Sequence, residues 1–161
     1  MDGTRLGEKL HGREMRPMTE RLLRCVLLAD RHHGLAEGVR GMLETAFQTV
    51  VMVADEASLL EAAVRLRPDA AVLDLSLSKA GSLECLRALR LRCPDLRVVV
   101  VSVHDEQSVR LAAVNAGADA FVLKRAIATD LLPAIDRVRE NRDAPALADE
   151  PRKGNHQRTR N

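Results

Sequence analysis

The sequence predicts a doubly wound five-stranded parallel α/β sheet in a single domain, and three observations carry that prediction. Five short apolar runs of strand length recur between segments of helical period. The two kinds of segment alternate strictly, which implies right-handed strand–helix–strand crossovers. The runs are apolar on both faces, as suits strands covered by helices on each side.

The first run, "LLRCVLLA" (22–29), leads into "GLAEGVRGMLETAF", where Leu35, Val39, Met42, Leu43 and Phe47 share one helical stripe. "TVVMVA" (49–54) is the second strand, and "SLLEAAVRL" follows with Leu59, Leu60, Ala63, Val64 and Leu66 on one side. "DAAVLDL" (69–75) is the third, followed by the helical "LECLRALRLR". After "LRVVVVSV" (96–103), Asp105 is the expected cap of "EQSVRLAAVNAGA", and Gly117 is a natural stop for that helix. "DAFVLK" (119–124) is the last strand. "TDLLPAIDRVREN" then starts at a Thr129 cap, with Pro133 early enough in the helix to cost little.

Composition narrows the function. The 161 residues suffice for one domain with a real core. Lys and Arg total 25 against 23 Asp and Glu, a formal +2, so charge makes no case for a nucleic-acid or membrane partner. No apolar run approaches the roughly 18 residues of a membrane span, and a cytoplasmic protein is expected. Cys25, Cys85 and Cys93 lie in apolar segments without C-x-x-C spacing, so they are expected as core thiols of a reducing compartment. Phe47 and Phe121 are the only aromatic residues, too few for a base-stacking platform. Residues 1–20 and 143–161 have the composition of flexible tails around a domain at 21–142, with Met15 and Met18 as candidate starts of translation.

In doubly wound sheets the functional crevice lies outside the carboxyl ends of the strands, where the strand order reverses. Asp30, Asp74, Ser102 and Lys124 end the first, third, fourth and fifth strands, and they converge if the strands are ordered 2-1-3-4-5. Such a set suits phosphoryl transfer to an aspartate. Asp74 is the nucleophile, Asp30 helps hold a divalent metal, Ser102 meets the phosphoryl oxygens, and Lys124 neutralises the arriving charge.

Over Arg24 to Arg142 the chain resembles the CheY-like (flavodoxin-like) receiver domains of two-component response regulators. Within them it resembles the NarL/FixJ branch, whose members usually carry a C-terminal LuxR-type helix-turn-helix. The residues are "VLLADRHHGLAEGVRGMLE", "RPDAAVLDLSLSKAGSLECLRALR" and "RVVVVSVHDEQSVRLAAVNAGADAFVLKRA". The resemblance implies Asp74 as phosphoacceptor, Asp30 as first of the acidic pair, and Ser76 as the residue whose backbone carbonyl ligates Mg²⁺. It also implies Ser102 as switch hydroxyl, Phe121 as aromatic rotamer switch, and Lys124 as the conserved-type lysine.

The chain departs from the pattern at several positions. The family's second acid, normally the direct metal ligand, is Arg31 here. Ser78 and Ser82 replace the usual Pro and Gly of the acceptor loop, and Arg125 follows the lysine. No helix-turn-helix is expected after Arg142, where helical period ends. Asp30, Asp74, Arg31 and Lys124 sum to zero charge, where the usual pocket holds about −2 for a dication to cancel. A guanidinium has donors and no acceptor, so it cannot ligate a metal. Weak or absent Mg²⁺ binding is therefore expected.

Two placements of Arg31 follow. In the sharper one its guanidinium pairs with Asp30 or Asp74 as a built-in cation; in the other it turns to solvent and leaves both aspartates to bind metal poorly. His32 and His33 suggest a metal site at first glance, but adjacent residues of a turn rarely both face one ion, and a loop-ordering role is expected for them.

The function expected is a stand-alone receiver-like signalling module of a phosphorelay, and not an enzyme. A sensor histidine kinase or phosphotransfer protein is the expected donor. Output is expected through protein contact, including a homodimer through the face of the fourth helix, fifth strand and fifth helix. The alternative is a phosphorylation-independent binding or dimerisation module. A transcription regulator using the basic tail "RKGNHQRTR" would bind DNA only weakly and without specificity. An aspartyl-phosphate phosphatase would want an acid where Ser76 stands.

Overall fold

The computed structural model describes residues 23–78 and 81–141. The expected tails, 1–20 and 143–161, lie outside the described residues. Strands β1 (Leu23–Ala29), β2 (Phe47–Val53), β3 (Ala70–Asp74), β4 (Arg97–Ser102) and β5 (Ala120–Leu123) alternate with five helices. These are α1 (His33–Leu43), α2 (Glu56–Leu66), α3 (Ser82–Arg92), α4 (Gln107–Ala116) and α5 (Ile127–Glu140). The sheet is parallel throughout, in the expected order 2-1-3-4-5.

Alternation within the apolar strands divides the core into two layers. Leu27, Ala29, Ala71, Leu73, Val98 and Val100 face α2, α3 and α4. Their neighbours Val26, Leu28, Val72, Val99, Val101 and Val122 face α1 and α5. Covering both faces lets the interior strands be apolar at every position, and β3 is buried along its whole length.

Several expectations about the elements are corrected. Phe47 belongs to no helix: α1 ends at Leu43, the Thr45 hydroxyl donates to the Met42 carbonyl, and Phe47 opens β2 opposite Leu23, fully buried against the α1/α5 layer. Leu35, Val64 and Leu66 lie at the edges of their stripes and are exposed. Cys85 is a core residue, whereas Cys25 and Cys93 are only half-buried.

Neither expected cap is one. Asp105 pairs with Arg125 at 3.0 Å, and the cap position of α4 is Glu106, which makes no side-chain cap bond. α5 grows directly out of a 3-10 turn at Lys124–Ala126, so Thr129 is already inside the helix and its hydroxyl donates to the Ala126 carbonyl at 3.2 Å. The earlier start puts Pro133 in the second turn, where its missing N–H removes one intrahelical bond. Gly117 does stop α4, in the left-handed conformation at φ +117°.

Candidate functional site

Parallel register brings the strand ends together. Asp74 lies opposite Val101 of β4, and Ser102 lies opposite Leu123 of β5. On the other side Ala29 pairs with Leu73, which sets Asp30 beside Asp74. Asp30, Asp74 and Ser102 are all buried polar residues at one edge of an apolar sheet. Lys124 sits one residue past β5, at the first position of the 3-10 turn, with 16% of its side chain exposed.

Each group has defined partners. The Lys124 ammonium forms an ion pair with Asp74 Oδ2, while Asp74 Oδ1 accepts the Ser76 amide at 2.8 Å. Burial pushes the Asp74 carboxyl up. The hydrogen bonds from Lys124 and from the Ser76 amide, with the Lys124 charge, outweigh that and hold it below the usual carboxylate range. Asp30 Oδ1 accepts the His32 amide at 2.8 Å and lies 3.3 Å from His32 Nδ1. Ser102 Oγ accepts the His104 amide at 3.0 Å. Phe121 is half-buried, with the Arg110 guanidinium 4.8 Å from its ring centroid.

Arg31 does not take the sharper of its two placements. It is exposed, and among the described residues it pairs with neither Asp30 nor Asp74. The cation inside the pocket is Lys124. The turn explains this: the Asp30 carboxylate bonds the amide two residues on, which brings His32 back toward the pocket and sends the intervening side chain outward. His32 orders the turn through this amide, as expected, and its Nδ1 also lies 3.3 Å from Asp30 Oδ1. One donor atom each from Asp30, His32 and Asp74 lie within 4.8 Å of one another. The D-x-H spacing was the available signal.

Tested against a divalent ion, the residues fit in part. Two buried carboxylates stand side by side, and Ser76 Oγ next to them is buried without a hydrogen-bond partner. Asp30 and Asp74 are the carboxylates that could offer it oxygen ligands. The position of Arg31 adds no ligand.

A parallel sheet in this order, with acidic, hydroxyl and ammonium groups at its carboxyl edge, defines a CheY-like signalling domain of the flavodoxin-like fold. The family model of the response regulator receiver domain matches residues 26–136, and the chain belongs to that family. It is 30% identical over 112 residues to the transcriptional regulatory protein DegU of Brevibacillus brevis, covering 68% of this chain and 48% of that protein. It is 34% identical over 112 residues to the nitrate/nitrite response regulator protein NarP of Escherichia coli K12, covering 68% and 52%. Among solved structures, a LuxR-family two-component response regulator from Aurantimonas sp. SI85-9A1 superposes with a TM-score of 0.69 at 26% identity, covering 74% of this chain and 86% of that one. The chain spans about half the length of the curated relatives it matches. Receiver domains are signalling modules of two-component systems and typically bind Mg²⁺ at an acidic site. Among the described residues no helix is long and apolar enough to cross a membrane.

Proposed function

We propose that this chain is a phosphoacceptor of a two-component pathway, with Asp74 the residue modified, and that its Mg²⁺ site is weakened at Arg31. The observation that carries the reading is the buried Asp74 carboxylate, held ionised by Lys124 at the carboxyl edge of the sheet. An Asp74 oxygen attacks the phosphorus of an aspartate-directed phosphodonor as the bond to the donor's leaving group breaks. Lys124, already on Oδ2, takes up the added negative charge. The Ser102 hydroxyl, whose oxygen accepts the His104 amide, turns its O–H toward a phosphoryl oxygen. Phe121 follows into the space this leaves, and the surface of α4, β5 and α5 changes. A bound divalent ion would supply further neutralisation of phosphoryl charge.

With Arg31 turned to solvent, the weakness of the Mg²⁺ site comes from the missing third carboxylate and the cation beside the mouth. The donor is a histidine kinase or phosphotransfer protein, and the output is protein contact in the cytoplasm, including homodimerisation through the α4/β5/α5 face. Neither membrane nor specific nucleic-acid binding is part of the reading.

A small phosphodonor with Mg²⁺, read by intact mass, tests the proposal. Wild type gains one phosphoryl group slowly, Arg31→Asp gains it faster and at lower Mg²⁺, and Asp74→Asn gains none. A phosphoryl group retained by Asp74→Asn would overturn it. Full modification at ordinary receiver Mg²⁺ concentrations, unchanged by Arg31→Asp, would remove the impaired-metal element.

A further inference from the structure

We propose that Arg125 is a positioning residue for phosphoryl uptake. Through Asp105 it clasps the loop after Ser102 in the unmodified arrangement, and Asp105 leaves it to cap α4 when Ser102 turns inward. The exchange of partners stands on the geometry of the loop alone, whereas its effect on phosphorylation rests on the reading of Asp74 as acceptor.

Placement is the first support. Arg125 directly follows Lys124 in the 3-10 turn after β5, and its guanidinium donates to Asp105 at 3.0 Å. Asp105 lies in the loop between β4 and α4, next to His104, whose amide donates to Ser102 Oγ at 3.0 Å. The pair therefore ties the turn that carries Lys124 to the loop that holds the Ser102 hydroxyl. Turning that hydroxyl toward Asp74 pulls on the His104 amide, and Asp105 is the next residue along.

A second partner for Asp105 is the other support. Glu106 occupies the cap position of α4 without a side-chain cap bond. Val109 and Arg110 both donate to the Glu106 carbonyl, while the amides of Gln107 and Ser108 stand two and three residues after Asp105, the positions from which an aspartate cap accepts. Glu106 is extended, at ψ 135°, so Asp105 caps only when Glu106 turns into the helix. That turn lengthens α4 by one residue and carries Asp105 off Arg125. An exposed ion pair and an N-cap stabilise by similarly small amounts, so the loop has two states close in free energy. The two side chains of the clasp are 67% and 57% exposed, so salt weakens it.

The test uses the whole chain and two readings. The Ser108 amide proton shift in the unmodified protein follows capping, with Asp105→Ala as the uncapped reference. Intact mass after a small phosphodonor with Mg²⁺ follows phosphorylation. Arg125→Ala should raise the capped-to-clasped ratio and the phosphorylation rate, each by about twofold to fivefold, the range of an exposed ion pair. Asp105→Asn should do the same, because asparagine caps as well as aspartate and brings no charge to Arg125. Raising the salt concentration should move wild type toward Arg125→Ala and leave that variant where it is. An unmoved Ser108 amide in Arg125→Ala, or the same Ser108 shift in Asp105→Asn and Asp105→Ala, would overturn the exchange of partners. Wild-type phosphorylation rates in both Arg125→Ala and Asp105→Asn would overturn the positioning role. A wild type that takes up no phosphoryl group overturns the Asp74 reading and the positioning role with it, while the Ser108 amide still decides the clasp.

Discussion

The Lys124 ammonium, in the turn after β5, reaches past the end of β4 to ion-pair with Asp74 Oδ2 at the end of β3, and the carboxylate it neutralises is 96% buried. Lys124 is itself mostly buried, so the pair is shielded from solvent more than a surface bridge is.

Removing Lys124 leaves a buried carboxylate with no counter-charge. Lys124→Ala should lower stability to denaturant by about 1–3 kcal/mol, the cost of a buried polar group left unsatisfied. The Asp74 pKa should rise in the same variant, because burial, its largest single influence, then acts with less opposition. Urea unfolding and carboxyl-carbon chemical shifts against pH measure the two effects. In Lys124→Ala/Asp74→Asn the losses should fall well short of additive, since the two residues are in contact.

Asp74 also fixes part of the acid response. Its folded pKa lies below its unfolded value, so the ionised carboxylate stabilises the fold. That contribution is complete above the unfolded pKa of about 3.9 and is lost as pH falls through the lower folded value. Stability of wild type should therefore drop as pH falls below about 4, and Asp74→Asn should show a shallower drop. Equal acid slopes for the two proteins would count against the depressed carboxyl.

The strands and the positions of the candidate site residues were legible because both are written as abrupt changes of residue type. A run such as Ala70–Leu73, apolar at every position, marks a covered strand, and the polar residue that breaks it marks the carboxyl edge. Asp30, Asp74, Ser102 and Lys124 were placed at that edge this way. The choice between the two placements of Arg31 was not legible, because the direction of a side chain in a turn depends on one bond, from the His32 amide to the Asp30 carboxylate, that no periodicity encodes. Phe47 fell on the α1 stripe by spacing alone, and burial at the head of β2 overrode it. The Asp105 and Thr129 caps failed for a similar reason: each hydrogen-bonding side chain had another partner nearby, Arg125 for one and the Ala126 carbonyl for the other.

Gly117 is a position where backbone and packing make the same demand. At φ +117° an L side chain is strained, and a Cβ there would stand 3.2 to 3.3 Å from Arg90. Arg90 cannot move freely, since it donates to the carbonyls of Gly117, Pro94 and Leu96 and pairs with Asp119 at 2.8 Å. Gly117→Ala should cost about 1–3 kcal/mol, read by thermal or urea unfolding, with little effect on phosphorylation.

Phe121 is held by a contact that the receiver reading gives a functional consequence. Its ring packs on the α2–α4 layer of the core, and the Arg110 guanidinium of α4 lies 4.8 Å from its centroid. Such a contact stabilises by about 0.5–1 kcal/mol at a partly exposed site, comparable to RT and therefore enough to bias a two-state ring. If Phe121 moves when Asp74 is modified, Arg110 resists that movement. Arg110→Ala should thus raise the population of the alternative ring position in the unmodified protein by about twofold to fivefold, the range that energy corresponds to. Aromatic carbon relaxation dispersion on Phe121 reads it, and Arg110→Lys should keep part of the restraint. In Phe121→Ala, removing Arg110 should no longer alter stability beyond its own small surface contribution. A coupling energy near zero in that double-mutant cycle would mean that Arg110 merely lies over the ring and restrains nothing.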